Sequence, residues 1–268
     1  MLETEKPDAV CLIAPEHLTA GLSSMILEQG YPLMMEKPPG LNREETLRMI
    51  AAAKRGGVPN QVAFNRRYMP LVRELKHQIE EVCSSANIQH IRYDFYRVNR
   101  KDSDFAATAI HGIDTVKFLA GADYSKIRFQ YQEFPELGPN VANIFMECTF
   151  TSGATAYLSF CPVAGVIIER ATVNSYNHTF FLNLPVWEAM DSPGRLTHVA
   201  QGKIQLDVTG DDISDGSKMF ETNGFYGENA AFFDAVREGR RPSGDIASGL
   251  QSVEIADCIR KRISVYSL

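Results

Sequence analysis

The chain has 268 residues, enough for about two domains at the usual ~100–200 residues per domain. Its 27 basic and 33 acidic side chains give a formal net charge of −6, and 44% of its residues are hydrophobic. This composition excludes a disordered or fibrous protein, and the net negative charge argues against nonspecific nucleic-acid binding. No apolar run approaches the ~20 residues of a membrane span.

The cysteines and the first residues of the chain bear on its compartment. The five cysteines are widely spaced and form no Cys-x-x-Cys pair, so the sequence predicts neither a disulfide framework nor a metal site. Residues 1–6 lack the basic start and the apolar stretch of a signal peptide. We therefore expect a reducing, cytoplasmic location, with neither a membrane nor a nucleic acid as partner.

The first part of the chain alternates short apolar runs with helical patterns. Apolar runs predict three strands, over residues 8–14, 31–35 and 58–64. The first run is continuous, which is typical of a strand covered on both faces. Helical spacing predicts three helices, over residues 17–29, 42–55 and 69–82. In the third helix the positions expected to face inward are Leu71, Val72, Leu75, Ile79 and Val82. This alternation predicts parallel strands joined by right-handed crossovers.

Beyond residue 85 the apolar residues alternate with polar ones, which is typical of half-buried strands. The alternating positions are Ile91, Tyr93, Phe95, Ile127, Phe129, Tyr131, Ile204, Leu206 and Val208. Helices are predicted over residues 105–120, 226–238 and 246–262. We therefore predict α/β plus α+β architecture, in which a parallel sheet is followed by a large, mostly antiparallel sheet with one helix-covered face.

The turn Glu36-Lys37-Pro38-Pro39 directly follows the second predicted strand. Ligands of open α/β sheets bind beyond the carboxyl ends of the strands, and a lysine beside a rigid proline is placed to face such a ligand. The Lys37–Pro38 bond can also be cis, which would aim the lysine reproducibly. Glu36 can hold the ammonium group or a ribose hydroxyl. The alternative, which spacing alone favours, is a surface Glu-Lys pair in a proline-rich turn.

A second candidate is formed by His111 and Asp114, which lie one turn apart on one face of a predicted helix. A histidine steadied by a neighbouring carboxylate can relay protons. The alternative, again favoured by spacing alone, is a core histidine that is hydrogen-bonded by Asp114.

Two further segments follow predicted strands. Residues 14–17, Ala-Pro-Glu-His, open the helix after the first strand, where backbone N–H groups suit an anionic or polar ligand group. The alternative is that Pro15 only starts the helix. Residues 64–68, Phe-Asn-Arg-Arg-Tyr, follow the third strand, and their two arginines can hold a phosphate or a carboxylate. The alternative there is a solvated linker.

Taken together, these motifs resemble those of the Gfo/Idh/MocA family of NAD(P)-dependent oxidoreductases, over essentially the whole chain. The segments that carry the resemblance are 7–10, 14–17, 36–38, 64–68 and 110–114, with 228–239 near the end. The resemblance implies a partial Rossmann domain over residues 1–68. It also implies a substrate-binding and oligomerisation domain with an open sheet over residues 69–268, whose last helices pack back on the first domain.

The resemblance also implies the functional residues. Lys37 is expected to contact both the nicotinamide and the substrate hydroxyl, and His111 to serve in proton transfer. The expected contacts to the cofactor, NAD or NADP, are Ala14, Pro15, His17, Glu36, Lys37 and Asn65. The expected substrate contacts are Arg67, Tyr68, His111 and Asp114. Family substrates are sugars, inositols and related polyols, and the open sheet implies a homo-oligomer.

Two features depart from the family's pattern. No Gly-x-Gly-x-x-Gly occurs in the chain, so the resemblance predicts that about 60 residues, two βα units with the pyrophosphate-binding turn, are missing before residue 1. NAD(P) binding by this chain is therefore expected to be weak. Ala107 stands one helical turn before His111, where the family commonly has an aspartate.

Two functions stay open at this point. The first is hydride transfer between a sugar, inositol or related polyol and NAD(P), impaired in a truncated chain. The second is a non-catalytic sugar-binding or interaction protein on a decayed dehydrogenase scaffold. The turn at Lys37 and the presence of His111 favour the first, whereas Ala107 and the missing glycine-rich turn favour the second.

Overall fold

A computed structural model describes residues 2–187, 189–214 and 218–268 of the chain. These residues divide into two compact units. Unit 1 comprises Met1–Phe64 and Tyr226–Asp257, and unit 2 comprises Asn65–Phe225 and Cys258–Leu268. The domain limits expected from the sequence, 1–68 and 69–268, stay a prediction.

Helices and strands follow one another along the described part of the chain. The α-helices are α1 Leu2–Glu5, α2 Glu16–Glu28, α3 Arg43–Gly56, α4 Pro70–Val82, α5 Ala106–Ala120, α6 Gly210–Ile213, α7 Met219–Thr222, α8 Phe225–Glu238 and α9 Ile246–Arg260. The strands are β1 Val10–Leu12, β2 Leu33–Met35, β3 Asn60–Val62, β4 Ile88–Tyr96, β5 Tyr124–Glu133, β6 Ala142–Phe150, β7 Thr155–Cys161, β8 Ile168–Ser175, β9 His178–Asn183, β10 Arg195–Ala200, β11 Lys203–Thr209 and β12 Val265–Ser267.

Unit 1 contains a parallel sheet of three strands, in the order β1-β2-β3. The middle strand, β2, is buried along its whole length, as expected for a parallel strand that helices cover on both faces. The prediction that the first strand is covered on both faces is wrong, because Cys11 is exposed and Ile13 is 85% exposed. A continuous apolar run does not by itself say which of its residues other elements cover, and β1, which pairs with β2 alone, lies at one edge of this sheet.

Local sequence signals define the ends of α3 in unit 1. The Asn42 side chain accepts a hydrogen bond from the Glu45 amide at 3.0 Å, and the Glu45 carboxylate accepts one from the Leu41 amide at 2.8 Å. These bonds satisfy amides at the start of the helix that have no partner within it. Gly57 ends the helix in the left-handed conformation, with φ of 65°, which favours glycine because it lacks a Cβ.

The last two helices bond to β3 within unit 1. The Gln61 side-chain amide donates to the Glu228 carbonyl of α8 at 2.7 Å, and the Val62 amide donates to the Gly244 carbonyl at 2.9 Å. The Ile246 amide, at the start of α9, donates to the Asn60 side chain at 3.0 Å. Phe232 of α8 packs with Met34 and Ala63 in a buried cluster. Residues far apart in the chain therefore share one core.

Unit 2 is built on a sheet of nine strands, in the order β11-β10-β9-β8-β4-β7-β6-β5-β12. Its pairs are antiparallel apart from β4 with β7, which is parallel. Inward positions of β4, such as Tyr93 and Phe95, are fully buried, and α5 packs near them on the same face. The predicted fold class is therefore confirmed: a small parallel sheet accompanies a large, mostly antiparallel one.

Two predictions of buried apolar positions in unit 2 are wrong. Val82, the last residue of α4, is 40% exposed, because helical spacing predicts which face is apolar but not how far along the helix that face stays covered. Ile204 is 66% exposed and Leu206 and Val208 are only half-buried. These three residues lie on β11, which is the last strand at one end of the sheet.

Candidate active site

The candidate residues of unit 1 lie at the carboxyl ends of β1 and β2, which meet at one edge because the strands are parallel. Pro15 is the N-cap of α2 and supplies no side-chain hydrogen bond to it. The Leu18 amide donates to the Pro15 carbonyl at 2.9 Å, whereas the amides of Glu16 and His17 receive no side-chain cap. Ala14 is half-buried, whereas Pro15 and His17 are exposed.

Other parts of unit 1 contact the turn that carries Lys37 at both of its ends. The Glu36 amide donates to the Leu12 carbonyl at 3.2 Å, which ties the start of the turn to β1. The Lys37–Pro38 bond is cis, and Pro38 and Pro39 are buried. The Lys37 side chain is half-buried and its neighbour Glu36 is exposed. The lysine therefore leaves a constrained backbone at the carboxyl end of β2.

Gly40 shows how closely this turn packs on α3. A Cβ at residue 40 would lie 2.8 Å from the Thr46 hydroxyl oxygen and 3.1 Å from the Thr46 amide nitrogen. The φ of Gly40 is 138°, which side-chain-bearing residues rarely adopt. The Thr46 hydroxyl also donates to the Pro39 carbonyl at 3.4 Å. Only glycine fits here, so the path of the chain after Lys37 is defined by its own sequence.

The segment Asn65–Tyr68, a short 3₁₀ helix, belongs to unit 2. The Asn65 side-chain amide donates to the Asn223 carbonyl at 2.8 Å, and Tyr68 is buried, with the Arg73 guanidinium 4.9 Å from its ring centroid. The solvated-linker interpretation of this segment is wrong, because Asn65, Arg66 and Tyr68 are all buried.

The two arginines of this segment bind carboxylates of the protein itself. Arg66 donates from Nε and Nη2 to the two oxygens of Glu169, at 2.7 and 2.6 Å. Arg67 donates in the same two-pronged manner to Asp114, at 2.7 and 2.5 Å. A bidentate pair fixes both the distance and the direction of the two groups. The anion-binding interpretation thus had the right chemistry, although these carboxylates belong to β8 and α5.

Glu169 is the centre of a buried polar cluster that the sequence analysis missed. Besides Arg66, it accepts hydrogen bonds from Arg97 and, at 2.8 Å, from the Tyr93 hydroxyl. Burial alone would raise the pKa of Glu169, but the charges of Arg66 and Arg97 outweigh burial and hold this pKa at about 2. Burial likewise raises the pKa of Tyr93, so its hydroxyl stays protonated and donates.

The alternation of apolar residues along β8 indicates that Glu169 is buried. Glu169, Ala171 and Val173 are spaced two residues apart, so their side chains lie on the same, inward face of the strand, and Ala171 and Val173 are buried. A charged residue on the inward face of a strand requires a partner of opposite charge. The sequence does not say which of its 27 basic residues supplies that charge.

The second candidate pair lies on α5. His111 is half-buried, and Asp114, one turn later, is 1% exposed and bound to Arg67. Ala107, one turn before His111, is buried. The hydroxyl of Thr108 accepts a hydrogen bond from Arg100 at 3.1 Å. The predicted substrate contacts of Arg67, Tyr68 and Asp114 stay predictions, and all three side chains contact the protein itself.

Comparisons with known proteins show what the chain is similar to. Residues 1–64 match the Gfo/Idh/MocA model, described as an oxidoreductase family with an NAD-binding Rossmann fold. The chain is 24% identical over 165 residues to the uncharacterized oxidoreductase YrbE of Bacillus subtilis, across 56% of this chain and 48% of YrbE. The likeness to this family's model rests on the first part of the chain. The match to YrbE therefore spans about half of that relative's length.

Two further proteins resemble the chain, one in sequence and one in structure. The chain is 32% identical over 75 residues to scyllo-inositol 2-dehydrogenase (NADP(+)) IolU of Bacillus subtilis, across 28% of this chain and 23% of IolU. A solved structure of levoglucosan dehydrogenase in complex with NADH superposes with a TM-score of 0.80 at 22% identity. It covers 97% of this chain and 79% of that one. This structural likeness concerns the fold.

No helix in the described residues has the length and apolar character needed to cross a membrane. Within residues 2–187, 189–214 and 218–268, no three His, Cys, Asp or Glu side chains are grouped so that they could hold a metal ion.

Proposed function

We propose that this chain is an oxidoreductase that transfers a hydride between NAD(P) and a hydroxyl-bearing carbon of a sugar, inositol or related polyol. The observation that carries the proposal is the turn at Lys37, at the carboxyl end of a parallel strand. The turn is held at its start by the bond between Glu36 and Leu12 and at its end by the contacts with Thr46. The match of residues 1–64 to the Gfo/Idh/MocA model supports this substrate class, as do the similar proteins named scyllo-inositol 2-dehydrogenase and levoglucosan dehydrogenase.

The residues at the edge of the parallel sheet fit one end of such a cofactor. Since Pro15 gives α2 no side-chain cap, the first amides of α2 suit a polar group. We propose that Ala14, Pro15, His17 and Glu36 hold this end, with Asn65 as a further contact. When bound, NAD(P) accepts or supplies the hydride.

Lys37 and His111 are the proposed catalytic residues. The Lys37 ammonium donates a hydrogen bond to the reacting oxygen, and this bond strengthens as negative charge develops there. The His111 imidazole accepts the hydroxyl proton during oxidation and returns it during reduction. Arg67, Tyr68 and Asp114 are proposed to line or support the substrate side.

The test is a panel of inositols, aldoses and anhydrosugars with NAD⁺ and with NADP⁺, on the wild type and on two variants. Lys37→Ala should lower kcat far more than it raises the substrate KM, and His111→Ala should cost on the order of 10²–10⁴ in rate. Lys54→Ala, an exposed lysine on α3, is the matched control and should retain full activity. If Lys37→Ala and His111→Ala stay within twofold of an active wild type, the roles of both residues are wrong.

The second candidate function is non-catalytic sugar binding, which the buried Ala107 favours, because it leaves no carboxylate one turn before His111. Calorimetric binding of a polyol without turnover by either cofactor would support this function. A turnover that rises in Ala107→Asp would instead favour the enzyme.

We also propose that the chain forms a homo-oligomer through the open face of the large sheet. On this face Phe145 and Tyr157 stack with their ring centroids 6.3 Å apart, and Phe181 is 47% exposed. In the strand registers Phe181 lies opposite Thr172, and Arg92 lies between Thr172 and Tyr157. These four residues therefore form one row across the sheet. Sedimentation should give a dimer or larger assembly, and Tyr157→Glu should dissociate it. A wild-type monomer at high concentration would contradict this proposal.

A further inference from the structure

The helix that carries His111 approaches the sheet of unit 2 closely at the next residue, Gly112. A Cβ at residue 112 would lie 2.8 Å from Cε1 of Phe160 and 3.1 Å from Cε1 of Tyr93. Both rings are 0% exposed and stand on the adjacent strands β7 and β4. Buried rings in a close-packed core have little room to move. The absence of a side chain at Gly112 therefore sets how near α5 lies to the sheet.

A second contact lies two residues beyond Gly112, on the same helix. Asp114 accepts two parallel hydrogen bonds from Arg67, and both side chains are at most 10% exposed. The segment of Arg67 is itself fixed, since Asn65 bonds to Asn223 and Arg66 bonds to Glu169. A two-pronged bond to a fixed guanidinium limits rotation of α5 about its own axis.

We propose that Gly112 and the Arg67–Asp114 ion pair are positioning residues for His111. Gly112 sets the distance of the imidazole from the sheet, and the ion pair sets the direction in which it points. This inference rests on the proposed proton-transfer role of His111. Proton transfer requires donor and acceptor within hydrogen-bond reach, and a displacement of about 1 Å can cost on the order of 10²-fold in rate.

The first experiment compares Gly112→Ala with Gly21→Ala in the full chain. Gly21 lies within α2 and has nothing within 4 Å of an added Cβ, so it is the matched control. Gly112→Ala should lower kcat by roughly 10- to 100-fold per folded molecule, with the KM for NAD(P) within twofold. Gly21→Ala should leave both unchanged. The double variant Gly112→Ala/Phe160→Leu removes the crowding ring and should recover most of kcat.

The second experiment tests direction separately from charge. Arg67→Lys keeps a positive charge beside Asp114 but cannot form the two-pronged bond. It should lower kcat about as much as Arg67→Met does, although it should unfold at a higher urea concentration than Arg67→Met. If kcat instead follows stability across the two variants, or if Arg67→Lys retains full kcat, the positioning role of this pair is overturned.

A third measurement does not require turnover. The Cε1–H signals of the six histidines can be followed by NMR, with the His111 signal assigned by its loss in His111→Gln. Gly112→Ala and Arg67→Lys should shift the His111 signal and leave that of His77, exposed on α4, in place. An unchanged His111 signal in both variants overturns the inference. A shifted signal in a chain that turns over no polyol supports the inference and overturns the proposed catalysis.

Discussion

The two candidate catalytic side chains are held by different physical means. The turn at Lys37 is defined by neighbours in sequence: prolines on one side, the close contact of Gly40 with Thr46, and the capping residues of α3. The helix of His111 is held by buried charges from distant parts of the chain. Arg67 reaches Asp114 across 47 residues, and Arg66 reaches Glu169 across 103. The first arrangement should therefore tolerate changes in pH and in distant residues, whereas the second should not.

The largest expected effect comes from breaking the buried cluster at Glu169. Glu169→Gln leaves Arg66 and Arg97 without a compensating charge, and loss of one partner of a buried pair costs about 3–5 kcal/mol. We expect the free energy of unfolding to fall by this amount. Urea denaturation, monitored by circular dichroism and by the fluorescence of Trp187 in unit 2, measures it. Glu44→Gln removes one partner of the exposed ion pair between Glu44 and Arg48 on α3. It is the control and should leave the free energy of unfolding unchanged within error.

The same carboxylate should make unit 2 sensitive to acid. The pKa of Glu169 is about 2 in the folded protein against an ordinary value of 4.5. A lowered pKa stabilises the fold fully above pH 4.5, and this contribution of about 3 kcal/mol is lost as the pH falls from 4.5 towards 2. The difference in unfolding free energy between wild type and Glu169→Gln should shrink over that window. A difference that stays constant from pH 6 to pH 2.5 would contradict the ion pairing.

An added methyl group at two helical glycines should have opposite effects on stability. Gly112→Ala forces a Cβ against Phe160 and Tyr93, and such overpacking costs about 1–3 kcal/mol. Gly21→Ala meets open space and should gain about 0.5–1 kcal/mol from helix propensity. Thermal unfolding monitored by circular dichroism should show a lower melting temperature for Gly112→Ala and a higher one for Gly21→Ala. Equal shifts in the two variants would show that α5 does not pack closely at residue 112.

The smallest expected effect tests the locally held region. Asn42→Ala removes the hydrogen bond that the Asn42 side chain accepts at the start of α3, and loss of such a cap costs about 1 kcal/mol. We expect a modest drop in the urea midpoint and no change in the His111 NMR signal. Asn42→Asp should restore the midpoint, because aspartate accepts the same bond. A loss as large as that of Glu169→Gln would mean that the two regions do not differ as described.

Most helices and strands could be predicted because periodicity is a local property. The helices near residues 16–28, 43–56 and 106–120 agree with prediction to within one or two residues, since Asn42, Gly57 and Gly121 mark their ends. The strands of unit 1 are shorter than predicted, because only the part of each apolar run that hydrogen-bonds to a neighbouring strand becomes a β-strand.

Sequence alone determined the two kinds of sheet, the position of Lys37 after a parallel strand, and the helix that carries His111. Each depends on residues a few positions apart, whose sterics and hydrogen bonds do not require contacts from distant parts of the chain. Only the tertiary structure decided what Arg66 and Arg67 bind, that Gly112 lies against Phe160, and that Glu169 is buried between two arginines. A charged or small side chain has many possible partners along 268 residues, and the packing of distant strands and helices selects among them.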